Sequence, residues 1–212
     1  MGLTPTTLES LTEAVTQDHS YVNTAMWQSL HSADPGTTGT SEITTGTGPA
    51  GRQQVTYSGS AGTDVNTLAV DYTVAGSNTV RWIGYWTAQT GGTFIGGFPL
   101  VGPVLPAMSE ASGPVITCPA HGFTAGDPVR LYPIPGIDSS AVPSGFTEDS
   151  TYYVVGTPTT DAFDLSATVG GSAINAGATL GFQVAPDRSQ AFAVEGTLGF
   201  PATSGIAYET AS

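Results

Sequence analysis

The chain has 212 residues, which is enough for one medium-sized domain or two small ones. Charged residues make up only 10% and hydrophobic residues 39%, and the mean hydropathy of +0.05 excludes a disordered acidic chain. The 28 glycines and 15 prolines require frequent turns, and Thr, Ser, Gly and Val dominate where a helical bundle would need Leu, Glu and Lys. We therefore expect a soluble, mainly β protein with neither a membrane span nor a secretory signal.

The charge is strongly unbalanced, with 17 acidic residues against four basic ones, a net charge of −13 and a pI near 4.1. There is no lysine, and the arginines lie singly at Arg52, Arg81, Arg130 and Arg188. Binding of nucleic acid or of anionic membranes needs clustered cations, so we expect neither partner. The single Cys118 excludes an intramolecular disulfide, and stability must come from the core or from neighbouring subunits.

A helical pattern occurs only near the N-terminus, in residues 3–16. Leu8, Leu11 and Val15 share one helix face, and Thr4-Pro5 is typical of a helix start. The pattern predicts a short N-terminal helix. The alternative is a polar arm that becomes ordered only against another subunit.

Alternating patterns predict strands over most of the remaining first half. A turn at 32–36 and a Thr/Gly-rich extended loop at 37–51 separate the first predicted strand from the others. The predicted strands are residues 21–30, 52–58, 68–74, 79–87 and 93–98.

Prolines between residues 100 and 113 interrupt this series, and a run of short strands follows. These strands are predicted at 115–118, 128–132, 151–155 and 162–166, which suits a small barrel or sandwich. After residue 182 the strands look like parts of a different element. We therefore predict a small β-barrel or sandwich, residues 109–182, inserted into a β-sandwich-like domain made of residues 1–108 and 183–212.

Two groups of motifs go beyond composition. LHSADPGTTGTSE at residues 30–42, Arg52-Gln53, VRWIGYW at 80–86 and GGTF at 91–94 together resemble a family of actinobacteriophage virion proteins. PAHGFTAGDPV at residues 119–129, TYYVV at 151–155 and FDLS at 163–166 resemble a small β module that recurs in phage tail and fibre proteins.

These resemblances imply an exposed, non-enzymatic virion component without a cofactor. Such proteins are described as minor tail, tail fibre or head decoration proteins, so the implied localisation is the exterior of the tail or capsid. The expected partners are other virion proteins and further copies of the chain, with a trimer implied by the resemblance. Residues 3–30 are the segment we expect at these contacts, because their narrow apolar stripe cannot stabilise an isolated helix.

Two residue pairs have the types needed for catalysis. His31 and Asp34 could act as a base and its orienting carboxylate, and Cys118 and His121 as a nucleophile and base. No nucleophile or oxyanion donor is recognisable near His31 and Asp34, and Asp34 also suits a turn cap. Cys118 and His121 are three positions apart around a proline, so we expect them to point away from each other. We interpret His31 and His121 as loop-holding residues, Cys118 as a small buried hydrophobe, and Asp127 as another residue without catalytic partners.

Metal binding has little support in the sequence. Zinc would need four ligands, whereas three histidines and one cysteine are widely spaced. Calcium oxygens could come from Asp138, Glu148, Asp149, Asp161 and Asp164, but no EF-hand spacing is present. We expect no metal site.

Trp82 and Trp86 are the candidates for a glycan-binding surface, together with Trp27. The first two share a strand face, about 13 Å apart at ~3.3 Å per residue, which fits a row of sugars but also a core stripe. Apolar neighbours such as Ile83 favour the core. The sequence thus predicts a structural component of a tailed phage, with a capsid decoration protein, a host-receptor or glycan-binding module, and a hydrolase as alternatives.

Overall fold

The computed structural model describes residues 2–3, 26–43, 51–60, 63–66, 69–109, 113–135, 137, 141–202 and 205–207. All regular elements within these ranges are β-strands, which confirms the expected mainly β class. Most of the expected N-terminal helix, residues 4–16, lies outside the described residues, and Leu3 belongs to a strand. No helix in the described ranges is long and apolar enough to cross a membrane.

The chain divides into two compact units. The first comprises residues 1–100 and 189–212, and the second comprises residues 101–188. The described strands of the first unit are β1 (Gly2–Leu3), β2 (Met26–His31), β3 (Gln53–Val55), β4 (Tyr57–Ser60), β5 (Thr63–Asn66), β6 (Val70–Val74), β7 (Asn78–Val80), β8 (Trp82–Trp86) and β9 (Phe94–Pro99), and, after the second unit, β16 (Gln190–Phe192), β17 (Gly196–Phe200) and β18 (Gly205–Ala207).

The first unit is a sandwich of antiparallel strands. One layer has the order β1-β9-β8-β2-β3. In the other layer β5, β6 and β7 pair in turn with β18, β17 and β16, and β4 adds to β5. All three of these pairings keep the same register, so they form one interrupted two-stranded ribbon, from Thr63 opposite Ala207 to Val80 opposite Gln190.

A buried apolar cluster holds the two layers together. It contains Leu30, Val55, Val70, Tyr72, Val74, Val80 and Tyr85. A polar contact crosses the same space, since the Tyr72 hydroxyl donates to the backbone oxygen of Gln28 at 2.9 Å. Burial raises the pKa of Tyr72 far above its ordinary range, so this hydroxyl stays protonated and keeps donating.

Two expected strands are each divided in the structure. The expected strand 79–87 breaks at Arg81, where the chain leaves the ribbon through β7 and enters the other layer as β8. The backbone of Arg81 bonds there to His31 and Leu100. The expected strand 52–58 changes partners in the same way at Thr56. A period of two cannot reveal such a change, because the alternation continues across it.

The second unit is a closed antiparallel barrel with the strand order β10-β11-β14-β13-β12-β15. These strands are β10 (Leu105–Ser109), β11 (Val115–Thr117), β12 (Pro128–Tyr132), β13 (Thr151–Val155), β14 (Ala162–Ser166) and β15 (Thr179–Pro186). Its interior contains fully buried Ile116, Val129, Leu165, Phe182 and Val184. Closure leaves this sheet without an open edge.

The barrel extends on both sides of the expected 109–182. β10 begins at Leu105, and β15 continues through Gln183 to Pro186, whereas the sequence pattern predicts a different element from residue 183 onward. The physical reason is closure: β15 pairs with both β10 and β12, so residues 183–186 complete the barrel.

Candidate functional site

The motif at residues 30–42 forms a loop that folds back over one face of the β2–β8–β9 layer. This covering loop, residues 32–43, is closed by a bridge between His31 and Glu42 and by a 2.8 Å hydrogen bond from the Ile43 N–H to the Leu30 oxygen. Asp34 caps its first turn by accepting from the Gly36 N–H at 2.8 Å. Pro35 is fully buried beneath it. Because Pro35 packs against β9, only glycine fits at position 97, where a Cβ would lie 2.5 Å from the proline ring.

A chain of hydrogen bonds runs beneath the covering loop. The Trp86 Nε1–H donates to the Ser29 Oγ at 2.9 Å, and this hydroxyl lies 2.7 Å from the His31 Nε2. On its other side the His31 Nδ1 lies 2.7 Å from the backbone oxygen of Thr40. A carbonyl can only accept, so Nδ1 carries the proton and Nε2 accepts from Ser29. Every group in the chain is thereby satisfied with a neutral histidine.

The Ser29–His31 pair has the spacing of a nucleophile and its base, but not the access. Ser29 is 1% exposed and His31 is 0% exposed. Asp34, the expected orienting carboxylate, is committed to the turn cap rather than to the imidazole. The arrangement therefore joins the covering loop to the sheet, as interpreted for His31 from the sequence.

Arg52 fastens the covering loop from the side. Its Nε and one terminal nitrogen donate to the two Glu42 oxygens, each at 2.9 Å, in a fork geometry. The other terminal nitrogen donates to the backbone oxygens of Ala88 at 3.1 Å and Gly91 at 2.6 Å. The guanidinium also lies 3.3 Å from the centre of the Trp86 ring, a cation–π contact. One side chain thus joins the loop, the β8–β9 turn and the tryptophan beneath.

We expect the sandwich unit to lose stability on mild acidification. Burial lowers the pKa of His31, against a smaller opposing effect of its bond to Thr40. Below the ordinary pKa of about 6.5, the unfolded chain therefore binds a proton that the folded unit does not, and stability falls by up to about 1.4 kcal/mol per pH unit. All three tryptophans belong to this unit, so urea unfolding followed by tryptophan fluorescence measures it directly.

The matched control for this pH dependence is His31→Gln, whose amide can also donate and accept but does not titrate. Other groups still titrate in the variant, so the difference between the two pH profiles isolates His31. Identical profiles for the natural and variant chains between about pH 7 and pH 5 would contradict the prediction.

The barrel contains a second buried polar cluster, centred on Arg130. This side chain is 0% exposed, and it lies 2.8 Å from an Asp149 oxygen and 3.1 Å from an Asp187 oxygen. The Tyr132 hydroxyl donates to the same Asp149 oxygen at 2.8 Å, and Thr151 donates to Asp187 at 2.6 Å. The cluster connects β12, the 147–151 turn and the end of β15.

Cys118 and His121 are both buried in the barrel but serve different packing roles. Cys118 is 0% exposed within the apolar core, and burial raises the pKa of its thiol, which disfavours the nucleophilic thiolate. The His121 Nδ1 accepts from the Phe123 N–H at 2.8 Å, and its ring stacks on Phe123 and meets the edge of Phe163. This backbone contact confirms the interpretation of His121 as a loop-holding residue.

Of the five acidic residues considered for calcium, two have other roles and one lies outside the described residues. Asp149 is paired with Arg130, Asp161 accepts from the Ala120 N–H at 3.0 Å, and Asp138 lies outside the described residues. Asp127 accepts from the N–H and hydroxyl of Thr124. Among the residues that the structure describes, no three His, Cys, Asp or Glu side chains are grouped to hold a metal ion.

The tryptophans lie on the face of the β2–β8–β9 layer that carries the covering loop, not in the apolar cluster between the two layers. Trp82 is 5% exposed and Trp86 is 8% exposed, while Trp27 is half-buried opposite Trp86 on the neighbouring strand. Phe94 covers the Trp86 ring in an edge contact at 5.0 Å. Neither Trp82 nor Trp86 presents the open ring face on which a sugar could stack.

Sequence reasoning missed the residues that complete both polar clusters. Ser29 carried a usable signal, since it lies two residues before His31 and therefore on the same strand face. The pairing of Arg52 with Glu42 and that of Arg130 with Asp187 carried none, because each depends on how the chain returns in three dimensions.

One family model matches part of the chain. Residues 3–103 match the family model described as Podophage GP4 fiber I protein gp80. The match includes the covering loop, Arg52 and β8, so the first half of this chain is similar to a phage fibre protein. A search of curated proteins found no match.

This match supports a structural component of a phage fibre. A fibre stands on the outside of the virion, so the expected localisation at the virion exterior is confirmed.

Proposed function

We propose that the chain is a non-enzymatic structural protein of the tail fibre of a tailed bacteriophage, present as a homo-oligomer and attached to other virion proteins. The observation that carries the proposal is the match of residues 3–103 to a phage fibre family. A fibre location favours the tail over the capsid, so head decoration is not proposed. The motifs at residues 30–42 and 80–94 further support a phage of an actinobacterial host.

The chemistry of the first unit agrees with a structural role. The side chains that could have formed a catalytic site, Ser29 and His31, are buried beneath the covering loop and satisfied by Trp86 and Thr40. In the barrel, Cys118 and His121 are likewise buried in packing positions. Groups that already satisfy one another in the interior stabilise the fold and are not available to a substrate.

We also propose that the barrel is a nested domain, carried as an insertion within the sandwich sequence. Its own buried core and its closed sheet support independent folding. The resemblance of residues 119–129, 151–155 and 163–166 to a module of phage tail and fibre proteins supports the same proposal. No glycan site is proposed, since Trp82 and Trp86 are buried.

Antibody labelling of virions tests the proposed location. We expect gold-labelled antibody against this protein to decorate the tail or its fibres in electron micrographs, with no label on the head. Virions treated with an unrelated antibody are the control. Label on the capsid alone, or on no part of the purified virion, would refute the proposal.

A further inference from the structure

The ribbon of the first unit has an open edge at β17. In the part of the chain that the structure describes, β17 is hydrogen-bonded to β6 alone. In an antiparallel strand, half of the backbone N–H and C=O groups point away from the one partner. The backbone between Gly196 and Phe200 thus offers donors and acceptors to a further strand.

The edge also leaves core side chains incompletely covered. Phe192, Leu198 and Phe200 pack against the apolar cluster of the sandwich but are only half-buried. The Phe200 ring makes an edge contact with Tyr72 at 6.0 Å, so these side chains lie on the face of the ribbon that packs against the apolar cluster. A strand added at β17 would extend the ribbon and cover these side chains.

β17 lacks the devices that normally block an exposed edge. The strand contains no proline, no charged residue and no register shift against β6. Residues 196–202 carry no charge of their own in a chain of net charge −13, and the carboxylate that lies against them is that of Asp71 on β6, beside Gly199. Two acidic copies of this chain repel one another over most of their surfaces, so an uncharged edge is where they can approach.

We propose that the edge of β17 binds β17 of a second copy of this chain, in antiparallel pairing around a two-fold axis. An antiparallel edge is complementary to itself, and an isologous contact brings the two rows of Phe192, Leu198 and Phe200 together. The inference rests on the homo-oligomer of the proposed function and names its contact surface. It gives a dimeric contact, distinct from a trimer held through residues 3–30.

Site-specific cross-linking tests this contact. Thr197 is exposed on β17, and the native Cys118 is buried, so Thr197→Cys provides one accessible thiol. Val169→Cys is the matched control, since Val169 is 67% exposed but belongs to the barrel. With a short bifunctional maleimide, we expect about tenfold more cross-linked dimer from Thr197→Cys, the ratio given by a preference of about 1.4 kcal/mol. Light scattering of the unmodified protein should show an even number of copies.

Equal cross-linking of the two variants would overturn the proposal, as would a monomer at high concentration or a trimer that does not cross-link through residue 197. The outcome is separate from that of virion labelling. A protein found on the tail without this cross-link refutes the edge contact alone. A cross-linked dimer found on the capsid refutes the tail-fibre function alone.

Discussion

Replacing Gly39 with alanine is expected to destabilise the sandwich unit by about 2–5 kcal/mol. Gly39 has a φ of 75°, in the left-handed region that costs a residue with a side chain about 1–2 kcal/mol. A Cβ there would also overlap the Trp86 ring and approach Phe94 to 2.8 Å. Trp86 cannot easily yield, because its ring nitrogen is bonded to Ser29 and its face carries the Arg52 guanidinium.

Gly36→Ala is the matched control in the same loop. Gly36 has a similar φ of 58°, but a Cβ at that position meets nothing within 4 Å. Only the conformational cost of about 1–2 kcal/mol then applies, so the difference between the variants measures the packing of the loop on Trp86. Urea unfolding followed by tryptophan fluorescence gives both values. Equal losses would show that the covering loop does not depend on close contact with the sheet.

Replacing Arg130 with methionine is expected to cost the barrel about 3–5 kcal/mol. The substitution keeps most of the side-chain volume but leaves the carboxylates of Asp149 and Asp187 without the guanidinium between them. Their side chains are 16% and 4% exposed, so water replaces the lost partner poorly. Denaturant unfolding followed by amide NMR signals of buried barrel residues such as Val129 and Leu165 measures the loss.

Val169→Ala provides the control for the barrel, since an exposed apolar side chain contributes little to folding. A loss below about 1 kcal/mol for Arg130→Met would contradict the prediction and would indicate that the cluster only offsets its own desolvation.

The individual strands of the barrel could be predicted from the sequence with good accuracy. The expected strands 128–132, 151–155 and 162–166 coincide with β12, β13 and β14. Here β-branched and aromatic residues alternate, and Gly, Pro or Asp ends each run, so local preference and final structure agree. The turn at 32–36 was predictable for the same reason, because Asp34 caps it through a bond within the turn.

The polar clusters were predictable only in part. His31, Trp86 and Arg52 all stand in motifs that the sequence analysis singled out, but their bonding partners did not follow from those motifs. Ser29 lies near His31 in the chain, whereas Arg130 meets Asp187 only because β15 returns beside β12 to close the barrel. A long-range partner of this kind is chosen by strand order, which local patterns do not encode.

The sequence by itself determined that this is an acidic, turn-rich β protein without an intramolecular disulfide. Those properties follow from composition and from periodicity, which act over a few residues. The tertiary structure decided that the chain changes layers at Arg81 and that residues 183–186 complete the barrel. These outcomes depend on which distant strand buries each face, since a strand has the same alternation whichever partner it pairs with.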